Sequence, residues 1–379
     1  MKKACIISCS NHYQARLHIF DEYLKSIGYS TTYITSDFDH TAKTEFVCTV
    51  PAAKQIHARP YKKNMSLDRI MSHKAFAMDV LEYLESLPES PDVLVVSVPP
   101  NFLAHYTAKY KKKHPETVLI YDIFDMWPET FPFQKLKTLL SPVFSVWAWL
   151  RNHALPAADH IITECDLFRE LLKLPDERGS TVYLCAEPMD TDSTAKLRED
   201  ALELCYLGAI NNIIDIPVIC ELISRLSRKK PVVLHIIGKG ERERELIEGA
   251  KSAGAEVIYY GAVYDEEEKH SIMHRCHFGL NIMKSSVCIG LTMKSLDYFR
   301  HGLPIINNIP ADTQRFVTHA SIGVQLDADC VEKIVSFTSA DYAEMRKNVN
   351  DVFKNNFSRD TVFKKIGQIF RRVIGEGYA

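Results

Sequence analysis

The stretch FGLNIMKSSVCIGLTMKSLDYFRHGLPIINN, residues 278–308, decides how the chain is to be folded. It opens on a short apolar run, FGLNIM, and passes through a polar loop to Gly290. An amphipathic segment follows, whose Leu296, Tyr298 and Phe299 must pack inward, until Gly302 stops it ahead of a second apolar run, PIINN. Strand, helix, glycine stop and strand in this order make a βαβ unit with parallel strands. Lys294 is out of place in it: it stands in the first helical turn, where the helix dipole favours acidic side chains. A cation there predicts a negatively charged ligand.

The same rhythm runs outward in both directions. Towards the N-terminus come LELCYLG (202–208), VVLHIIG (232–238) and EVIYYG (256–261), and towards the C-terminus IGVQL (322–326), with helical stretches between them. An earlier set contains ACIISC (4–9), TTYITS (31–36), DVLVVSVP (92–99), VLIYDIFD (118–125), HIIT (160–163) and TVYLCA (181–186). Between the sets the apolar pattern lapses at CAEPMDTDSTAKLRED, residues 185–200, which reads as a linker. The expected class is α/β, with two doubly wound domains at 1–186 and 201–357, a linker at 187–200 and a last helix, 358–379, returning to the first domain. Ligands of such sheets bind at strand carboxyl ends, so the expected site is a cleft where the two domains face each other.

Composition narrows the function. With 379 residues, 46% of them apolar, the chain has material for more than one core. A net charge of −2 gives no electrostatic footprint for nucleic acid. Ten cysteines are scattered as singletons without CxxC or zinc-type spacing, which reads as reduced core residues of a cytoplasmic protein. The opening MKKACIISCS is too brief an apolar run for a signal peptide and reads as a buried strand.

The first strand-to-helix turn, SCSNHYQAR, contains no glycine, so a GxGxxG dinucleotide loop is absent there, and no GxxxxGK[ST] occurs anywhere. Gly238 and Gly240 form the one glycine pair at a strand end, as consistent with a plain turn as with a phosphate loop. The strongest constellation is again the opening one. Gly290 permits close backbone approach, the amides from Thr292 to Ser295 form a helix N-terminus, and Lys284 and Lys294 add positive charge for a diphosphate. Asp297, read as surface-facing, is placed to accept both hydroxyls of a ribose.

IIGKGERE, VIYYGAVYDEEE and the run from Gly290 through LDYFRHGLPII together resemble the donor-binding half of retaining glycosyltransferases of family 4, whose fold is the two-domain, Rossmann-like GT-B. YDIFDMWPET (121–130) with HIITECDLFRELL (160–172) is similar to the acceptor domain of bacterial members that assemble capsular polysaccharide and exopolysaccharide. The resemblance implies a metal-independent transfer of a hexose from a nucleotide-sugar to a hydroxyl of a glycan, lipid-linked acceptor. It implies a UDP-sugar ahead of a GDP-sugar, and no cofactor. Donor contacts fall on Gly238, Gly240, Gly261, Val263, Lys284, Gly290, Leu291, Thr292, Met293, Ser295 and Asp297.

Carried over residue by residue, the second family glutamate, which binds ribose, is Asp297, and the first, which contacts the sugar, is Ile289. The backbone amides of Leu291, Thr292 and Met293 are the substitutes. The arginine and lysine that often follow the first donor-domain strand are replaced by Ala209, Asn211 and Asn212, which leaves the phosphate charge to Lys284 and Lys294. A family histidine becomes Asp125, with Glu129 one turn on; these are expected to orient the acceptor or take its proton, or else to cap the turn around Trp127 and Pro128. Retention implies front-face attack with the leaving diphosphate as proton acceptor and Lys294 as the main charge stabiliser. Ser10, Asn11 and His12 are the acceptor-side loop.

DxD pairs occur at Asp37/Asp39, Asp190/Asp192 and Asp327/Asp329, but two full βα arrays argue against the single-sheet enzymes that use DxD to hold a metal, so no metal site is assigned. Residues 131–156, with two of the three tryptophans and Lys135, Lys137 and Arg151, suit either an interfacial helix at the inner face of the cell membrane or a buried helix. YKKK at 110–113 would add attraction to anionic lipid. A sugar-nucleotide 2-epimerase of the same architecture and a non-catalytic nucleotide-sugar-binding partner subunit are the alternatives to transfer.

Overall fold

The computed structural model describes residues 2–9, 14–50, 53–64, 66–131, 141–189 and 198–375. The chain divides into two compact units, Met1–Leu184 with Val362–Ala379, and Cys185–Thr361.

The sheet of the first unit contains β1 (Lys3–Ser8), β2 (Ser30–Ser36), β3 (Lys54–Ile56), β4 (Val93–Val98), β5 (Val118–Ile123), β6 (His160–Thr163) and β7 (Gly179–Thr181). All neighbours are parallel, in the order β3-β2-β1-β4-β5-β6-β7. Every residue of β4 is buried. That burial explains why the strand is an unbroken VLVVSV: helices cover both faces of a parallel sheet, so neither face needs polar side chains. The helices are α1 (Gln14–Ser26), α2 (Leu67–Ser86), α3 (Asn101–Lys113), α4 (Ser141–Asn152) and α5 (Asp166–Leu171). Ser66 caps α2, its side chain accepting the Arg69 N–H at 3.2 Å.

The second unit has a six-stranded parallel sheet of β8 (Leu202–Leu207), β9 (Val232–Ile237), β10 (Ala255–Gly261), β11 (Phe278–Asn281), β12 (Ile305–Asn307) and β13 (Gly323–Gln325). Its order is β10-β9-β8-β11-β12-β13. Around it stand α6 (Ile216–Ser227), α7 (Glu243–Ser252), α8 (Glu266–Arg275), α9 (Met293–Arg300), α10 (Asp312–Ala320), α11 (Cys330–Ser336) and α12 (Ser339–Asn356). A last helix, α13 (Arg359–Ile374), lays Phe370 against Phe20 of the first unit, with ring centroids 6.1 Å apart, and its Gly367 carbonyl accepts the Tyr23 hydroxyl at 3.2 Å.

In each sheet the chain winds away from a central first strand in one direction and then the other. The reversal lies between β1 and β4, and between β8 and β11. In the second unit β8 and β11 pair only at Leu204–Phe278 and Cys205–Gly279 and then diverge. Tyr298 of α9 fills the gap: its hydroxyl accepts the Leu207 N–H at 2.8 Å. A Cβ on Gly279 would lie 2.7 Å from the Tyr298 ring, so only glycine lets α9 settle this close to the sheet. The start of α9 is thereby fixed at the crevice where such folds hold ligands.

The sequence pattern departs from the structure at the edges. TVYLCA is expected as a strand, but β7 ends at Thr181, because the carbonyls of Val182 and Tyr183 accept from the Arg16 guanidinium at 2.7 and 3.2 Å. Lys54–Ile56 pairs with β2 although KQI carries no strand signal, and Phe38–Asp39 pairs with Thr44–Glu45 in a short hairpin.

Candidate functional site

The turns after β8, β9 and β10 are knitted together by their backbones. Gly208 N–H donates to the Ile237 carbonyl at 2.9 Å, Gly238 N–H to Gly261 at 2.7 Å and Ile210 N–H to Lys239 at 3.0 Å. A Cβ on Gly238 would stand 2.0 Å from the Gly208 carbonyl oxygen, and one on Gly240 2.2 Å from that of Ile210. These two glycines are therefore demanded by the contact between turns, which accounts for them without a phosphate. Gly261 closes the third turn, and Val263 lies half-buried on the loop leading to Asp265, which caps α8.

On the other side of the crevice, Thr292 caps α9, its hydroxyl oxygen accepting the Ser295 N–H at 3.0 Å and standing 2.9 Å from the Asn281 side-chain oxygen. Asn281 continues to Asn307 at 2.7 Å and Asn307 to Gln325 at 2.9 Å, a polar ladder along the carboxyl ends of β11, β12 and β13. Gly290 is held by Thr313, whose N–H and hydroxyl both donate to its carbonyl. Among the described residues, the N–H groups of Leu291, Thr292, Met293 and Lys294 make no hydrogen bond. Four backbone donors therefore remain for a ligand.

Lys294 is the most informative side chain. It is 8% exposed, its Nζ sits 4.5 Å from the centre of the Tyr206 ring and 3.5 Å from the Tyr206 hydroxyl, and its Cε is 4.0 Å from where a side chain on Gly208 would begin. Among the described residues it makes no ion pair. Burial lowers its pKa to about 8. A buried ammonium has an aromatic face as its main partner here, beside four N–H groups free among the described residues, and together these are the donors an anion would need.

Asp297 is placed differently from the expectation. It is half-buried rather than surface-facing, and desolvation pushes its carboxyl up to about 6, with Lys269 acting in the opposite direction. Among the described residues its carboxylate accepts no hydrogen bond, while the neighbouring Glu266 is occupied by Lys269 and, at 2.6 Å, by Arg300. Met293 is 56% exposed and offers backbone only, and Ile289 is half-buried. Lys284 is half-buried too, and its N–H donates to the Ile213 carbonyl at 3.0 Å. Arg242, and more weakly Lys284, hold the Glu245 carboxyl below its usual range.

In the first unit a cavity of about 340 Å³ opens at the carboxyl ends of β1, β4 and β5, lined among others by Cys9, His40, Arg69, His73, Asp125 and Trp127. Asp125 accepts the Trp127 indole N–H at 2.7 Å and the Thr130 hydroxyl at 2.6 Å, and burial raises its pKa. It caps the turn and lines the cavity at once. Glu129 is separated from it: a two-pronged ion pair at 2.7 and 3.0 Å ties it to fully buried Arg151, and it borders another groove. The expectation of a carboxylate pair acting together is corrected on this point. Ser10, Asn11 and His12 lie outside the described residues.

The described DxD pairs have local tasks. Asp37 binds His57 and the Ala58 N–H, Asp39 accepts two turn amides, and Asp327 pairs with Lys333 at 2.8 Å. Asp190 and Asp192 lie outside the described residues.

Residues 201–336 match the family model described as Glycosyl transferases group 1. The matched residues lie within the second unit. Over the whole chain the structure is similar to the lipopolysaccharide outer core galactosyltransferase WaaB in its apo form, at 13% identity and TM-score 0.66, covering 99% of each chain. It is also similar to Anabaena HepE in complex with UDP and glucose (12% identity, TM-score 0.63) and in complex with UDP (11%, 0.66), each covering 98% of this chain and 99% of the other. No curated protein sequence matches the chain significantly. The fold is GT-B.

Sequence reasoning missed Tyr206, Gly208 and Asn281 in the second unit, and Arg69, His40 and His73 in the first. Only the Tyr-Leu-Gly ending of β8, a glycine directly after a buried strand, signalled any of them.

Proposed function

We propose that the protein is a retaining glycosyltransferase that moves a hexose from a UDP-sugar to a hydroxyl of a lipid-linked glycan in surface polysaccharide assembly. The observation that carries the reading is Lys294, a buried ammonium without a carboxylate partner beside four free N–H groups, on a group 1 domain. In this reading the diphosphate sits on those donors and Asp297 accepts the ribose hydroxyls. The bond from the anomeric carbon to the phosphate oxygen breaks, the acceptor oxygen bonds to the same face, and the acceptor proton passes to the departing phosphate. Lys294 and the helix start stabilise the charge that develops there. Asp125 lines the acceptor cavity, and Glu129, committed to Arg151, has no part in the proton transfer.

A panel of UDP-, GDP- and dTDP-sugars tests the donor. A UDP-sugar at about 100 times its Kd should stabilise the fold by about 2.7 kcal/mol, raising its melting temperature by several degrees. No shift with any nucleotide-sugar would end the proposal. Calorimetric affinity should also be indifferent to added magnesium or manganese, because lysine and amides neutralise the diphosphate. HepE has been solved with UDP and with UDP-glucose, which supports starting from uridine nucleotides. Ile289, standing where the family has its sugar-contacting glutamate, favours a second reading as a non-catalytic nucleotide-sugar-binding subunit; binding without turnover would select it.

Affinity for UDP-glucose should be bell-shaped in pH. The diphosphate needs Lys294 charged, so affinity falls above about 8; the ribose needs Asp297 ionised, so it falls below about 6. Asp297→Asn should remove the acid limb and leave the alkaline one.

The inner face of the cell membrane is the proposed location. One face of α4 packs Phe144 and Trp147 against Phe131 and Trp127, while Val143, Val146 and Trp149 stay exposed at 46, 61 and 51%. Residues 132–140 of the expected interfacial segment lie outside the described residues, and no described helix is long and apolar enough to cross a membrane. Of the basic run, Lys111 pairs with Asp159 and Lys113 with Glu85, so less of its charge is free for lipid than the sequence implied.

A further inference from the structure

Three side chains of the first unit that carry soft or borderline metal ligands meet in the wall of the 340 Å³ cavity. Cys9 Sγ and one ring nitrogen each of His40 and His73 lie within 4.8 Å of one another. The chain brings them from three places: Cys9 follows β1, His40 stands in the turn of the short hairpin after β2, and His73 is on α2. Cys9 and His73 are both 2% exposed.

Their orientations are fixed by the protein. His40 Nδ1 meets the Tyr61 hydroxyl at 3.0 Å, and its Nε2 stands 3.1 Å from Cys9 Sγ and 3.3 Å from the Ser36 hydroxyl. A ring with one nitrogen on an oxygen partner and the other turned to a thiol is how a metal-ligating histidine is held by its outer partner. The His73 ring is stacked on Trp127, with centroids 5.9 Å apart, and its buried Nδ1 has no hydrogen-bond partner. A thiol is a weak donor, so an S–H···N contact accounts for His40 alone. It does not account for a second, partnerless imidazole converging on the same point.

We propose that Cys9, His40 and His73 bind a divalent metal of the zinc type, with the fourth coordination position open to the cavity. One thiolate and two imidazoles without a carboxylate select zinc over magnesium or calcium. The thiol gives its proton to solvent as its sulfur bonds the metal. A tetrahedral zinc sets thiolate sulfur and imidazole nitrogen about 3.5 Å apart, so the 3.1 Å pair would open by a few tenths of an ångström and His73, within 4.8 Å of the other two, would adjust to the same spacing. Asp125, on the same wall, offsets part of the remaining positive charge.

The full chain, stripped of metal and titrated with Zn²⁺ against a chromophoric chelator, should bind one equivalent. With Co²⁺ it should show thiolate charge-transfer absorption and the visible bands of a tetrahedral ion. Cys9→Ser should abolish the charge-transfer band, and Tyr61→Phe should weaken zinc binding by about 10-fold to 100-fold. Should Cys9→Ser fail to fold, X-ray absorption on the zinc-loaded parent decides, by a first shell of one sulfur and two nitrogens. Substoichiometric binding, a shell of oxygen or of several sulfurs, or a charge-transfer band that survives in Cys9→Ser overturns the assignment.

Discussion

Replacing Lys294 by Met is expected to give a protein that melts at a higher temperature and transfers sugar about 30-fold to 1000-fold more slowly. The two effects have one cause. Burial moves the ammonium pKa from 10.5 to about 8, which corresponds to about 3 kcal/mol of destabilisation below pH 8. That cost is fully present below the folded value and fades as pH rises towards the unfolded one, where both states are neutral. Methionine keeps the length and the contact with Tyr206 and carries no charge to desolvate. The gain in melting temperature should therefore shrink when parent and variant are compared at pH 10 instead of pH 7.

The rate loss follows from the same unpaired charge. On the proposed reading the ammonium meets, in the ground state, a diphosphate whose charge is shared with the sugar ester, and in the transition state that charge grows. An interaction that strengthens on the way to the transition state appears in kcat. Steady-state kinetics should show kcat falling more than the donor KM rises. Parental rates and parental donor affinity in Lys294→Met would remove the start of α9 from the site.

The strand pattern was legible because every central strand is an apolar run, and the position of Lys294 in a first helical turn was legible because it breaks the rule for helix dipoles. Its burial was not. That depends on Gly208 and Tyr206, which lie far off in sequence and reach the helix only through the pairing of β8 with β11. Gly238 and Gly240 were read as an open choice between a turn and a phosphate loop, and the close approach of Gly208 and Ile210 explains by itself why glycine stands there. Glu129 was misread for a related reason. Its spacing from Asp125 suggested a shared task, whereas Arg151, 22 residues on, draws it to another groove. Cys9, His40 and His73 carry no spacing signal at all, since three separate elements supply them.

Arg16→Met should lower the thermal stability of the first unit by about 3 to 5 kcal/mol while leaving UDP-sugar affinity unchanged below the transition. Arg16 and Asp122 form an ion pair with side chains 3% and 1% exposed, joined at 2.7 Å through Nη2 and at 2.9 Å through Nε. The same guanidinium donates to the carbonyls of Val182 and Tyr183, so it ties α1 to β5 and to the chain leaving β7. Removing it strands a buried carboxylate and takes a donor from two carbonyls together. The melting temperature should drop by about 10 °C, at 2 to 4 °C per kcal/mol for a unit of this size. Arg16→Met with Asp122→Leu should recover most of the loss, because the cost lies in the unpaired charge more than in the missing pair. The contrast with Lys294 is the useful part: one buried cation has its carboxylate and holds the fold, and the other lacks one among the described residues and, on the proposed reading, takes a ligand instead. If Arg16→Met left stability intact, or if it weakened donor binding as Lys294→Met does, that distinction between the two cations would be wrong.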